Sequence, residues 1–546
     1  NALSGVQVAA LDAGDLAGLS AAKVQAFTTA AVAAMTTAQV AALDTAQASG
    51  LTTAQVRALT TTQVAALTTT QAEKLGTAQL AALTSSQVKA LETADLAKLD
   101  TAQLRAITTA AIGGLDSAQV ASLSTLQVSS LTDGQVAGLS ATQVKAIETA
   151  DVAAMTTTQL QSISSAAIAQ LSTAQVAALT TAQIDDLTTT QVKALTTAQM
   201  KALSSEQVAQ LTTAQVNALS GVQVAALDAG DLAGLSVAKV QAFTTAAVAA
   251  MTTAQVAAMD SADLAALNTQ AVQALSAAAL NALSSTQLNA FTSDQIKALT
   301  TDQLTAVKTD QIAALSTAQA SALTSAQAAA LSVRQVSALE TADVAALATA
   351  ATAALSSDQL NALSTAQVVA LTTAQVSNLG SAQVAALTTA QVAAMQTADV
   401  AALNTNGIQA LTSSQLTTLS TAQMRALTSD QVGKLTTAQL SVLSDVQAAA
   451  LDTVDLAQLS TAQVRALSTA ALPGLTTAQT ASLSTDQVKN LTTTQVAALS
   501  STQIKALSTA QLANLSTTQM AALKATQVVG IETADLVTLT TDKLGA

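Results

Sequence analysis

Two acidic tetrapeptides, Asp12-Ala13-Gly14-Asp15 and Asp228-Ala229-Gly230-Asp231, are the places where residue type and spacing come nearest to chemistry. Paired carboxylates beside a glycine suit an oxygen-ligand Ca2+ site, but the roughly six to eight ligands and the EF-hand spacing are missing. Both aspartates also fall in slots that Ser or Thr and Gln fill elsewhere, so the sequence assigns them to helix capping. The chain has no Cys and no His, which removes thiolate and imidazole metal sites, disulfides, thiol nucleophiles and the usual near-neutral base. Its many Ser and Thr hydroxyls have no activating partner and no Gly-rich oxyanion loop. The expectation is a protein that is not an enzyme, with no catalytic, cofactor-binding or metal residues and no cofactor.

What organises these residues is a single phrase, L-[ST]-x-x-Q-[VLI]-x-A, repeated in register. A large apolar residue stands at every eighth position from Leu3 to Leu539, about 68 octads without insertion or deletion. A fixed period overrides the usual reading of 546 residues as several globular domains, because each unit meets mainly its neighbours. Residues 1–546 are therefore read as one continuous array. Within it residues 1–42 recur at 217–258 with one change, Ala21 becoming Val237, which points to block duplication.

Numbering the anchor Leu as position one, the octad starting at Leu51 places Thr52 as a helix N-cap and Gln55 at the third helical residue. That is a capping box, and Leu51 with Val56 forms the accompanying hydrophobic staple. The cap position holds Ser, Thr, Asp or Asn in most octads, as in Ser4, Asp12, Thr36, Asn268 and Ser460, the side chains that accept from exposed helix N–H groups. Glu92, Glu148, Glu340 and Glu532 take that place in an ETAD phrase, while Lys308, Ala348, Gln396 and Lys524 fit it poorly. Basic residues gather at position seven (Arg57, Lys89, Arg105, Lys145) and acids near the cap, which suits the helix dipole. Glycines at position eight, such as Gly18, Gly50, Gly114 and Gly474, suggest left-handed helix exits. Pro473, late in its helix and followed by Gly474, predicts a local bend.

The fold expected is all-α, a solenoid or superhelix of short capped helices of about six residues, one per octad. A continuous helix fails because eight residues advance about 800°, leaving the Leu stripe to drift about 80° per octad. A β-solenoid would keep Leu and Val on opposite strand faces, but Ala and Gln are poor strand formers and the capping pattern would be coincidence. All three Phe and all eight Met fall in the anchor or Val columns, so bulk is confined to two slots. Ordering eight residues costs on the order of 12 kcal/mol and burying one Leu, one Val and a few Ala returns about 11 kcal/mol. One row of octads is marginal, and either the coil winds so that distant octads touch or several chains pack laterally.

A net charge of −13 with pI near 4.3 disfavours nucleic acid and anionic membranes as partners. Thr, Ser or Gln interrupts each apolar run well short of the roughly 20 residues of a membrane span, so no transmembrane segment is expected. The phrase is entered midway at Asn1 with no recognisable leader or anchor, which reads as a segment of a longer protein. The motif in Leu179-Thr180-Thr181-Ala182-Gln183-Ile184 and Leu371-Thr372-Thr373-Ala374-Gln375-Val376 resembles a helix opening of transcription activator-like effectors, without their second helix or base-reading loop, so DNA binding does not follow. Over the whole chain, the Ala/Thr/Gln/Val octads resemble octapeptide-repeat regions of very large bacterial cell-surface or secreted proteins of the adhesin or filament type. That resemblance implies an extracellular or cell-surface location and a non-catalytic structural role. The chain itself is then the expected partner, as a homo-oligomer, filament, sheath or biofilm matrix fibre. The alternative is an extended adhesin stalk presenting binding domains that lie elsewhere.

Overall fold

The computed structural model describes residues 3–546, and among them are 67 α-helices, no strand, and one 3-10 turn. Helices are four to six residues long and restart every eight, as the capping pattern predicts. The helix Thr53–Ala58 shows the local cause. Thr52 is extended (φ −70, ψ 158) and its hydroxyl accepts from the Gln55 N–H at 3.2 Å, while Gln55 Oε1 accepts from the Thr52 N–H at 2.8 Å. Termination is equally local: Leu59 turns extended (φ −58, ψ 136) while its N–H still donates to the Val56 carbonyl at 3.2 Å. The anchor Leu thus closes one helix and sets the entry to the next.

Three columns are buried along the chain: position one, position five and position six. The first and last are the expected apolar slots, and Leu51, Val56, Leu80, Val192 and Met200 are all withdrawn from solvent. Position five is the surprise, because it is occupied mainly by Gln. Positions two, three, four and seven are exposed or half-buried and carry most of the charge.

The residues group into two compact units, Asn1–Leu275 and Ser276–Ala546. In each, a helix packs against the helix three octads further on, as Thr29–Ala33 does with Thr53–Ala58 in the first and Ser381–Ala386 with Thr405–Ala410 in the second. Winding, then, is how distant octads meet within the chain. In the first unit Gln63 reaches the Met35 carbonyl, 28 residues back. In the second Gln415 reaches the Leu387 carbonyl at the same separation of 28, so a superhelical turn takes about three and a half octads.

One sequence expectation needs correction here. The described glycines show no positive φ, so those at position eight do not serve left-handed exits. Gly114 and Gly474 are instead places where successive turns touch backbone to backbone: a Cβ on Gly114 would lie 2.2 Å from the Ser85 carbonyl oxygen, and one on Gly474 2.2 Å from that of Asp445. Pro473 converts its octad's helix into the 3-10 turn Leu472–Gly474, the local distortion its missing N–H requires.

Candidate functional site

Traced through the coil, the polar side chains converge on one arrangement repeated along it. The Gln at position five uses both ends of its amide. Its oxygen completes the capping box of its own helix, and its Nε2 donates to backbone carbonyls of the preceding turn. Gln39 shows the full set, with Nε2 at 2.9 Å from the Val8 oxygen, 3.4 Å from Ala9 and 2.7 Å from Leu11. Gln375 repeats it in the second unit on Val344, Ala345 and Leu347 at 2.9, 3.4 and 2.8 Å. These carbonyls, 31, 30 and 28 residues back, belong to the end of one helix and the extended anchor after it, where acceptors run short of helix partners, although Val8 also accepts the Leu11 N–H at 3.1 Å.

A cradle of three carbonyl oxygens is therefore the recurring polar feature of the fold, and other donors reach it where Gln is missing. At position five, Lys239 places its ammonium on the Ala209 carbonyl and Lys543 on that of Ala513, each 30 residues back. Gly407 has no side chain to offer, and Asn404 at the cap substitutes by donating to the Ser377 and Leu379 carbonyls, both at 3.0 Å. Gln396, which fits the cap slot poorly, donates to the Val369 carbonyl at 3.1 Å. Lys308 and Lys524 are tolerated as caps because Gln311 and Gln527 still accept their backbone N–H, each at 2.7 Å. Sequence reasoning gave the Gln column to capping; its second partners are backbone carbonyls of the preceding turn.

The acidic pair at Asp228 and Asp231 belongs to the same scheme. Asp231 is buried, takes the Asp228 N–H at 2.8 Å and accepts the Ser205 hydroxyl at 2.8 Å. Asp12 accepts from the Gly14 N–H at 3.2 Å, and Asp15 is exposed. Among the described residues no three acidic side chains gather as a metal-binding group would require.

Other aspartates at position five are less satisfied. Asp95, Asp151, Asp263, Asp343 and Asp399 are buried, and each keeps one carboxyl oxygen without a hydrogen-bond partner. Burial pushes the Asp263 carboxyl up to about 6, helped by the charge of Asp260 and opposed by a backbone hydrogen bond from that residue. Burial likewise raises Asp95, Asp343 and Asp399 above the ordinary carboxylate range.

Surface chemistry is sparse by comparison. Shallow recesses between turns carry a position-seven cation at the lip, as with Lys145 near Glu148, Ser172 and Gln175, or Arg105 near Ser130 and Thr156. Two exposed ion pairs occur among the described residues, Lys74 with Glu73 at 3.0 Å and Lys505 with Glu532 at 3.7 Å. No described helix is long and apolar enough to cross a membrane.

The ALTTAQ repeat family matches the chain in overlapping segments that cover residues 8–77, 88–125, 144–309, 336–429 and 448–508. The chain belongs to that family, as a long tandem array of its repeat. Among curated proteins no match is found.

Proposed function

We propose that this ALTTAQ repeat protein is a non-catalytic structural element that self-associates into an extracellular filament, sheath or matrix fibre. The observation that carries the reading is the amide tie. Each turn is held to the one before it through backbone carbonyls, as Gln71 is to Val40 and Leu43 at 2.9 and 2.6 Å. Backbone is the same in every octad, so the fold can be extended by whole octads whatever residues face outward. The surfaces left outside are columns of Thr, Ser and Ala with scattered charges, regular enough to pack repetitively against copies of themselves. A fold in which most buried polar residues, the Gln of position five, tie turn to turn supports a scaffold more than a receptor or catalyst.

Electron microscopy of the purified chain at low and high concentration in neutral buffer tests this. Uniform filaments with a helical repeat are expected. Particles of single-chain mass at every concentration would overturn self-assembly and favour the adhesin stalk.

A further inference from the structure

The carbonyl cradle is an acceptor-only device that Gln, Lys or Asn completes with a donor in most octads and that Ala at position five leaves uncontested, whereas Asp263 puts another acceptor where that donor belongs. In a Gln octad the cradle lies 31, 30 and 28 residues back; for Asp263 those residues are Leu232, Ala233 and Leu235. Asp is one carbon shorter than Gln, which draws its carboxyl about 1.5 Å back toward its own helix. An acceptor thus stands at the position from which a donor elsewhere reaches those carbonyls, and only something positive can bind both.

Elsewhere the chain answers this problem with a hydroxyl. Ser205, Ser429 and Thr509, each 26 residues back, donate to Asp231, Asp455 and Asp535 at 2.8, 2.7 and 2.7 Å. For Asp263 the residue 26 back is Val237, the one position that changed in the duplicated block, and Val has nothing to donate. Asp263 is 2 % exposed with its Oδ2 unpartnered, and Asp260 beside it adds a second negative charge while its Oδ1 accepts the Asp263 N–H at 2.8 Å.

We infer that the oxygens of Asp263 and of the Leu232, Ala233 and Leu235 carbonyls form a binding site for a monovalent cation of the size of potassium or ammonium. Two observations choose this class. The cradle already takes a singly charged ammonium where the sequence supplies one, at Lys239 and Lys543. Its carbonyls also stand unevenly around the central donor, at 2.9, 3.3 and 2.6 Å in the case of Gln63, on average farther than the roughly 2.3 to 2.6 Å that Ca2+ requires. Carbonyl rings are the ligands that replace the hydration shell of potassium in selective channels. Asp95, Asp151 and Asp343 present the same buried carboxylate beside Glu92, Glu148 and Glu340, but Thr69, Thr125 and Thr317 stand where Asp263 faces Val237, so they are weaker copies.

The test is equilibrium dialysis of the full chain with rubidium as the potassium probe, at pH 7.5 in tetramethylammonium chloride, an ion too large for the site. The expected result is a saturable tight equivalent that disappears in Asp263→Gln, which restores the majority phrase, and weakens at least tenfold in Val237→Thr, which supplies the missing hydroxyl. Absence of that equivalent, or its persistence in Asp263→Gln, overturns the site. Stoichiometric displacement of rubidium by micromolar Ca2+ overturns its assignment to a monovalent ion.

Discussion

Residues 3–42 and 219–258 carry nearly the same sequence, yet the structure treats them differently. Val8 and Val224 are both fully buried, but Leu3 is 39 % exposed where Leu219 is 3 % exposed. Gln7 is exposed and bonds only within its own capping box with Ser4. Its counterpart Gln223 is buried, with Nε2 at 2.9 Å from the Val192 oxygen and 2.8 Å from that of Leu195. Asp15 is exposed where Asp231 is buried, and Lys239 finds the Ala209 carbonyl. The second block packs on the turn carrying Val192 and Leu195, and among the described residues no such turn covers the first. An octad therefore folds its own helix but acquires two of its three buried columns from the turn before.

That difference sets the largest expected effect. Gln223→Ala removes the amide that bridges two turns and leaves the Ser220 N–H and the Leu195 carbonyl without that partner, while the Val192 carbonyl keeps only the Leu195 N–H, at a cost of about 2–3 kcal/mol. Gln7→Ala loses a single exposed cap interaction and costs at most about 1 kcal/mol. Hydrogen exchange reads both in one molecule, because opening in a repeat array is local. Amides of 220–228 should lose at least tenfold in protection, and those of 4–12 much less. Equal losses at the two sites would mean that the ties between turns contribute nothing.

Capping and staple were legible in the sequence because their partners lie within one octad: Thr52 with Gln55, Leu51 with Val56. The winding was not, since 28 residues per turn is set by how whole helices pack, and no single phrase encodes it. The second role of Gln was hidden by perfect periodicity. A column in which one residue recurs at a fixed spacing cannot by itself show which distant residue it serves. Departures from the phrase carried the clue, because Lys239 keeps a donor and Gly407 comes with Asn404 at its cap. Gly114 was misread for a related reason: a helix exit and a close approach of turns select the same residue, and only the Ser85 backbone beside it distinguishes them.

A sharper version of the comparison uses pH. The Asp263 carboxyl sits near 6 in the folded chain against 3.8 for the free side chain, so the folded state binds the proton more tightly than the unfolded one. Stability around this octad is then fully present below about pH 4 and is lost as pH rises through about 6. In tetramethylammonium buffer, exchange protection of 261–267 should be greater at pH 4.5 than at pH 7.5 after correction for intrinsic rates. Asp263→Gln should remove that slope, and potassium should flatten it by supplying the positive charge that the proton otherwise provides. The Gln255 octad just before it should show no such dependence, since its amide carries no titrating group and donates to the Val224 and Leu227 carbonyls, both at 2.7 Å.

The smallest effect tests the direction of the dependence. Gly5 and Gly221 meet the turn that follows them: a Cβ on Gly5 would lie 2.9 Å from the Ala34 methyl, and one on Gly221 2.8 Å from that of Ala250. Both blocks have a following turn, so Gly5→Ala and Gly221→Ala should behave alike. Crowding of a methyl costs about 1–2 kcal/mol and the gain in helix propensity returns about 1 kcal/mol, leaving a net change within about 1 kcal/mol of zero. Exchange of the helices Gly5–Ala9 and Gly221–Ala226 measures it. Matching shifts here beside the unequal Gln pair would assign the asymmetry to the preceding turn alone, whereas a larger shift at Gly221 would mean that the better-packed block resists any intrusion and that the Gln contrast reports packing density as much as the amide tie.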